Sequence, residues 1–193
     1  MADNAKILAG VTAGGSDGMG LAWFAPDNST LPTTALEVLD AAFLNAGMIT
    51  EDGLTFKPSK SVKEIKGYGS TQVQRVLVTE EKTTFELVFL ETNEVSMAIY
   101  SSAEVDSITP DGTGAFEVDF GTSTPTRYTT VFDVIDGLNH IRFCCPHVEV
   151  SDRKEVKVAN GESIGWGVTV TAYPDSTGNA VYTYIIVNAL AGS

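Results

Sequence analysis

The sequence predicts a mainly β domain, an antiparallel sandwich or barrel with one or two short flanking helices, formed by a single unit spanning residues 1–193. Three observations carry this prediction. Short runs rich in Val, Thr and Phe alternate apolar with polar residues, the two-residue period of a half-buried strand. Turn signals at Asp111-Gly112, Asp136-Gly137, Asn160-Gly161 and Ser176-Thr177-Gly178 divide the second half of the chain at sandwich-like spacing. A composition of 43% hydrophobic and 19% charged residues is apolar enough to fill one core, which argues against intrinsic disorder.

Strands are expected at 7–12 and 21–25, joined by the glycine-rich turn Gly14-Gly15-Ser16-Asp17-Gly18. A helix is expected at 35–45, with Thr34 as its cap, Leu36, Leu39 and Phe43 as its apolar stripe and Gly47 as its stop. After the turn at Asp52-Gly53, residues 50–66 read as a lysine-bearing loop. Strands at 71–79 and 83–91 follow, with Glu80-Glu81-Lys82 as the turn between them. Thr92-Asn93-Glu94-Val95 offers a cap for a second short helix reaching about Ser101, although Val95, Met97 and Ile99 also alternate like a strand. The remainder reads as strands at 114–120, 127–135, 140–146, 148–158, 163–172 and 180–188.

The chain holds 25 acids against 12 bases, a net charge of −13 that is spread over both halves. Nucleic-acid binding by phosphate neutralisation needs the opposite surface. One local exception is Lys57, Lys60, Lys63 and Lys66, a third of the basic residues within ten positions. Beside the Asp52-Gly53 turn they form a basic segment able to dock on an acidic neighbour. They also read simply as a solvated charged loop. No apolar run approaches the about 18 residues of a membrane helix, and the first residues lack the pattern of a secretory signal. Synthesis in the cytoplasm is therefore expected.

No catalytic constellation emerges, and no cofactor or metal site is predicted. Gly15, Gly18 and Gly20 lack the lysine and following helix of a phosphate-binding loop, with Trp23-Phe24 in their place. Asp111-Gly112-Thr113-Gly114 reads as a turn. Cys144-Cys145-Pro146-His147, with His140 upstream, holds the soft metal ligands. Strand alternation puts Cys145 and His147 on one face and Cys144 and His140 on the other, so three ligands do not converge. Adjacent Cα atoms lie about 3.8 Å apart, too close for an unstrained disulfide, and free thiols fit a reducing compartment. An enzyme is not expected.

Several segments, in order, resemble the major tail proteins of long-tailed bacteriophages. They are Ala25-Pro26-Asp27-Asn28-Ser29-Thr30-Leu31-Pro32, Leu39-Asp40-Ala41-Ala42-Phe43, Gly47-Met48-Ile49-Thr50-Glu51-Asp52-Gly53 and Phe85-Glu86-Leu87-Val88-Phe89-Leu90-Glu91-Thr92-Asn93. The match covers about the first hundred residues. It departs from the family pattern at Asn28, where glycine is usual, and at Gly67-Tyr68-Gly69, where a tryptophan-containing segment often stands.

The resemblance implies a tail tube protein in the virion tail, with six copies per ring and rings stacked into a hollow conduit for DNA ejection. Implied partners are further copies of itself and the tape measure, tail terminator and tail tip proteins. DNA would pass without specific binding, and no membrane is involved; the acid excess adds the hypothesis that an acidic lumen repels phosphates and lets DNA slide. The family's N-terminal arm and long loop correspond to residues 1–7 and 50–66, which makes Lys57, Lys60, Lys63, Lys66, Asp52 and Gly53 the expected self-assembly contacts. Two other readings share the fold class. One is a carbohydrate-binding or adhesive module using Trp23, Trp166, Tyr68, Tyr173, Tyr182 or Tyr184 as an aromatic platform. The other is a type VI secretion tube protein.

Overall fold

A computed structural model of the chain describes residues 21–121 and 125–190. The expected strand at 7–12, the turn at 14–18 and the arm at 1–7 lie outside those residues. The described residues form β1 (Ala22–Pro26), β2 (Leu44–Asn45), β3 (Thr55–Lys66), β4 (Val73–Phe89), helix α1 (Glu94–Ser101), β5 (Arg127–Asp136), β6 (Asn139–Arg153), β7 (Trp166–Tyr173) and β8 (Tyr182–Ile186). All pair antiparallel in the order β2-β1-β5-β6-β7-β4-β3, with β8 also pairing on β6. The mainly β, sandwich-like architecture matches the sequence expectation.

β6 is the spine of this sheet. It pairs with β5 along most of its length, with β8 from His140 to Cys144, and with β7 from His147 to Arg153. Pro146, which has no N–H to donate, sits where the β5–β6 register shifts between Tyr128 and Thr130. The expected break at Pro146 is therefore a bulge inside one strand.

The sheet curls until strands distant in the pairing order face each other. Phe24 of β1 meets Phe89 of β4, Tyr128 and Phe132 edge-on at 6.0 to 6.2 Å between ring centroids. Phe85, Leu87, Val148, Val168 and Val170 fill the same core, and α1 closes it with Val95 and Ile99. That helix starts where the sequence placed it. Asn93 accepts from the Ser96 N–H, and the Ser96 hydroxyl accepts from the Asn93 N–H, a reciprocal cap.

Residues 44–50 close the curl. Leu44 and Asn45 pair with β1, the Ala46 N–H donates to Ala22, and two residues later Met48 and Thr50 bond to Leu90 and Val88 beside β4. The crossing is made at Gly47, whose φ is +85°. A Cβ there would lie 2.5 Å from Glu91 Oε2 and 2.9 Å from Asn93 Nδ2. Glu91 receives the Met48 N–H and Asn93 donates to the Ala46 carbonyl, so both side chains are committed to the crossing.

Four expectations are corrected. Residues 35–45 form no helix: Thr34 and Glu37 give their carbonyls to the Arg142 guanidinium, and an isolated segment of this length has little helical stability of its own. Glu80-Glu81-Lys82 is no turn but the middle of β4, which runs unbroken for 17 residues. Residues 55–66 are strand, not loop, and the hairpin turns at Gly67-Tyr68-Gly69-Ser70, with the Ser70 N–H donating to Gly67. Residues 114–120 are irregular, because Asp111 gathers the Thr113 and Ala115 N–H groups into a local turn and no strand pairs with the rest.

Gly47→Ala is expected to lower stability by about 2 kcal/mol, through left-handed strain and displacement of Glu91. Urea unfolding measures it. Gly53→Ala, at φ +70° with open space around the Cβ position, is expected to lose about half as much.

Candidate assembly interface

β3 and β4 pair from Thr55–Glu86 to Lys66–Val73, whereas β7 accompanies β4 only from Phe89 to Thr83. Beyond Thr83 the hairpin leaves the body as a free two-stranded arm. Ten residues at about 3.3 Å each give it a reach of about 33 Å. A globular chain of this length is about 40 Å across, so the arm spans most of a second copy. Register shifts at Ser61/Val62 and Ile65/Lys66 mark two irregularities that sharpen its twist.

The arm is apolar where water should favour polar residues. Val62 pairs with Val78, and Glu64 pairs with Val76; these three valines are 52%, 51% and 54% exposed. Strand alternation puts them on the face that continues from Phe56 and the buried Phe85 of the core. Ile65, Val73 and the fully exposed Tyr68 at the tip add further bare apolar surface. Among the described residues no further strand pairs with this part of the hairpin to hold it flat.

Of the residues the sequence singled out, all four lysines lie on β3, and Asp52 and Gly53 form the turn at its root, where the Gly53 N–H donates to Thr50. The lysines do not form one patch. Their three-residue spacing in a strand sends Lys57 and Lys63 to one face and Lys60 and Lys66 to the other. Lys60 pairs with Glu81 at 2.7 Å and Lys66 with Glu64 at 3.9 Å, both well exposed and worth little to stability. Lysines and Pro58 on an otherwise open edge strand also discourage edge-to-edge pairing.

Charge separates the arm from the body more sharply than the lysines alone suggest. Residues 57–82 hold six of the 12 bases and three of the 25 acids, a net of +3 on a remainder of −16.

A second surface lies over the outer side of β1, β5, β6 and β8. There residues 31–43 lie as an irregular cover, with Leu31, Leu39, Ala42 and Phe43 packed on Trp23, Ala25, Val131, Cys144, Tyr182 and Tyr184. Arg142 fastens the cover. Its guanidinium donates to Asp133 through Nε at 2.6 Å and Nη2 at 2.9 Å, and through Nη1 to the Glu37 carbonyl at 2.6 Å. His140 shares Asp133 at 2.9 Å. Glu37 turns its carboxylate back to the Thr33 N–H, which with the Thr33 hydroxyl holds it below the usual carboxylate range. Leu36 and Val38 are left 73% and 90% exposed on the outside. Neither this clamp nor the exposed valines was found from sequence. The clamp joins residues more than a hundred positions apart, but the unpartnered valines at 62, 76 and 78 were visible.

The soft-ligand cluster is dispersed by the bulge at Pro146. Cys145 enters the main core and Cys144 the second apolar cluster, while His147 is turned away from Cys145 to meet Asp27 at 2.6 Å. Sharing of one face by Cys145 and His147 is thus corrected. Burial pushes the Cys144 thiol up to about 12 and that of Cys145 well above its ordinary value, so both are poor nucleophiles. At Asn28 the backbone is left-handed, φ 68°, which accounts for an asparagine where a glycine would be the easier choice.

The aromatic residues do not make one platform. Trp23, Tyr182 and Tyr184 pack under the cover, Trp166 stands edge-on to Tyr100, Tyr173 lies beneath Arg127, and Tyr68 is alone at the arm's tip.

A family model described as phage tail tube protein matches residues 11–192. No curated protein matches the chain.

Arg142→Ala is expected to cost about 3 kcal/mol, since it leaves the mostly buried Asp133 carboxylate with only His140 as partner and frees the cover. Urea unfolding measures the loss, and limited proteolysis should cut within 31–43 before the body unfolds. Arg142→Met with Asp133→Leu should recover much of the stability but not the protection of the cover.

Proposed function

The chain belongs to the phage tail tube protein family, structural proteins of the phage tail, and on that premise we propose that it self-assembles into stacked hexameric rings forming the conduit for DNA ejection. The observation that supports this reading is the arm, about 33 Å of two-stranded ribbon with bare apolar surface and a net charge of +3 on a strongly acidic body. A monomer gains nothing from extending such a ribbon into water. A neighbouring copy supplies both the apolar contact and the opposite charge.

Ring geometry follows from a one-way contact. When the arm of one copy docks on a different surface of the next, the contact is heterologous, and its repetition closes a ring or extends a filament. Six-fold closure and stacking of rings are the arrangement proposed. The acids outside the arm serve the cargo: a wall rich in carboxylates repels phosphate, so DNA slides past without adhesion. The tape measure, tail terminator and tail tip proteins are the proposed partners inside and at the two ends of the tube. Lys57, Lys60, Lys63, Lys66, Asp52 and Gly53 contribute to contacts between copies, with the valine face as the larger apolar part of the same surface.

Replacing Lys57, Lys60, Lys63 and Lys66 together by Glu turns the arm from strongly basic to acidic. The variant is expected to fold with an unchanged circular dichroism spectrum yet give no tubes in negative-stain microscopy. Tubes of normal length from this variant would overturn the role given to the arm.

A further inference from the structure

We infer that the surface receiving the arm is the cover segment of an adjacent copy, centred on Leu36 and Val38. This deepens the proposed function and rests on its reading that copies assemble through the arm.

Charge complementarity comes first. From residue 21 to residue 54 the chain carries Asp27, Glu37, Asp40, Glu51 and Asp52 and not one base. The arm has an excess of three positive charges, so attraction steers the two surfaces together and orients them. Among the described residues Lys57 and Lys63 carry no ion pair, whereas Lys60 and Lys66 do; alternation turns Lys57 and Lys63 to the face away from the valines, so their charge adds to this long-range attraction rather than to the apolar contact.

Apolar matching comes second. Leu36 and Val38 are the most exposed large apolar side chains of the cover, and they stand out because Leu31, Leu39, Ala42 and Phe43 are turned inward beneath it. Glu37 between them turns its carboxylate back onto the Thr33 N–H and hydroxyl. The valine face of the arm is the corresponding bare surface. Both sets of side chains are exposed, and burying them in a shared contact is favourable.

One other acidic surface competes. Residues 103–121 hold Glu104, Asp106, Asp111, Glu117 and Asp119 without a base. Its exposed aromatic, Phe120, already has Tyr100 as an edge-on partner at 6.1 Å, and Asp111 is committed to its own turn. That segment offers charge with less free apolar surface.

The cover is also built to carry load. It is clamped to β5 and β6 by the buried Arg142–Asp133 pair, so a force applied to Leu36 and Val38 passes directly into the sheet.

The test uses the native burial of both cysteines, which leaves an introduced surface thiol as the reactive one. Val76→Cys combined with Val38→Cys, assembled and then mildly oxidised, is expected to give a ladder of disulfide-linked multimers on a non-reducing gel. Either substitution alone is expected to give none. Tubes that form without this ladder, while Val76→Cys combined with Phe120→Cys produces one, would overturn the inference and leave the proposed function standing. A wild-type chain that stays monomeric at every concentration would overturn both. As a second measure, Leu36→Ser with Val38→Ser should raise the concentration needed for assembly at least tenfold without changing the unfolding midpoint. An unchanged threshold would also overturn the inference.

Discussion

The fold depends on one crossing of the backbone. An antiparallel sheet that curls far enough to bury both halves of its inner face must join its two ends or leave them as open edges. In this chain the join is made over seven residues, with Ala46 bonded to β1 and Met48 and Thr50 bonded beside β4. A residue without a Cβ fits between them with nothing displaced, because the space that a Cβ would occupy belongs to Glu91 and Asn93. Those two residues lie at the end of β4 and at the cap of α1, so one crossing fixes sheet closure, the exit of β4 and the start of the helix together. The phenylalanine cluster inside is a consequence: Phe24 and Phe89 meet because the crossing holds β1 and β4 face to face.

A second constraint sits on the outside. Buried charges are tolerated when their hydrogen-bonding positions are largely met, and Arg142 approaches this condition by directing four of its five N–H donors to one carboxylate and to backbone carbonyls of the cover. Irregular chain over a sheet ordinarily leaves carbonyls without partners. The guanidinium supplies partners for two of them, so a segment with neither helix nor strand can lie fixed on the sheet.

Much of the architecture was legible because strand patterning is local. The runs that became β1, β5, β7 and β8, the capped helix at Glu94–Ser101 and the turn at Asp52-Gly53 each announce themselves within a few residues. The failures have a common cause, since they occur where a distant partner overrides the local pattern. Leu36, Leu39 and Phe43 have helical spacing, but Arg142, far along the chain, takes the carbonyls that a helix would use. Glu80-Glu81-Lys82 looks like a turn because a body strand buries one face and would not carry three charges in a row. An arm buries neither face, so that rule does not apply to it. The candidate interface was half legible: the lysines mark the segment that forms the arm, while their division between two faces and the valine surface required the β3–β4 register.

The slenderness of the arm has a mechanical consequence. A two-stranded ribbon strongly resists stretching along its strands, because covalent bonds carry the load, yet bends readily across its face, where only the hydrogen-bond ladder and side chains resist. Units joined by such ribbons behave as a string of rigid beads on inextensible tethers, hard to pull apart and easy to tilt. A wall made this way can flex through large angles by sharing small rotations among many joints, with every bead keeping its closed β fold.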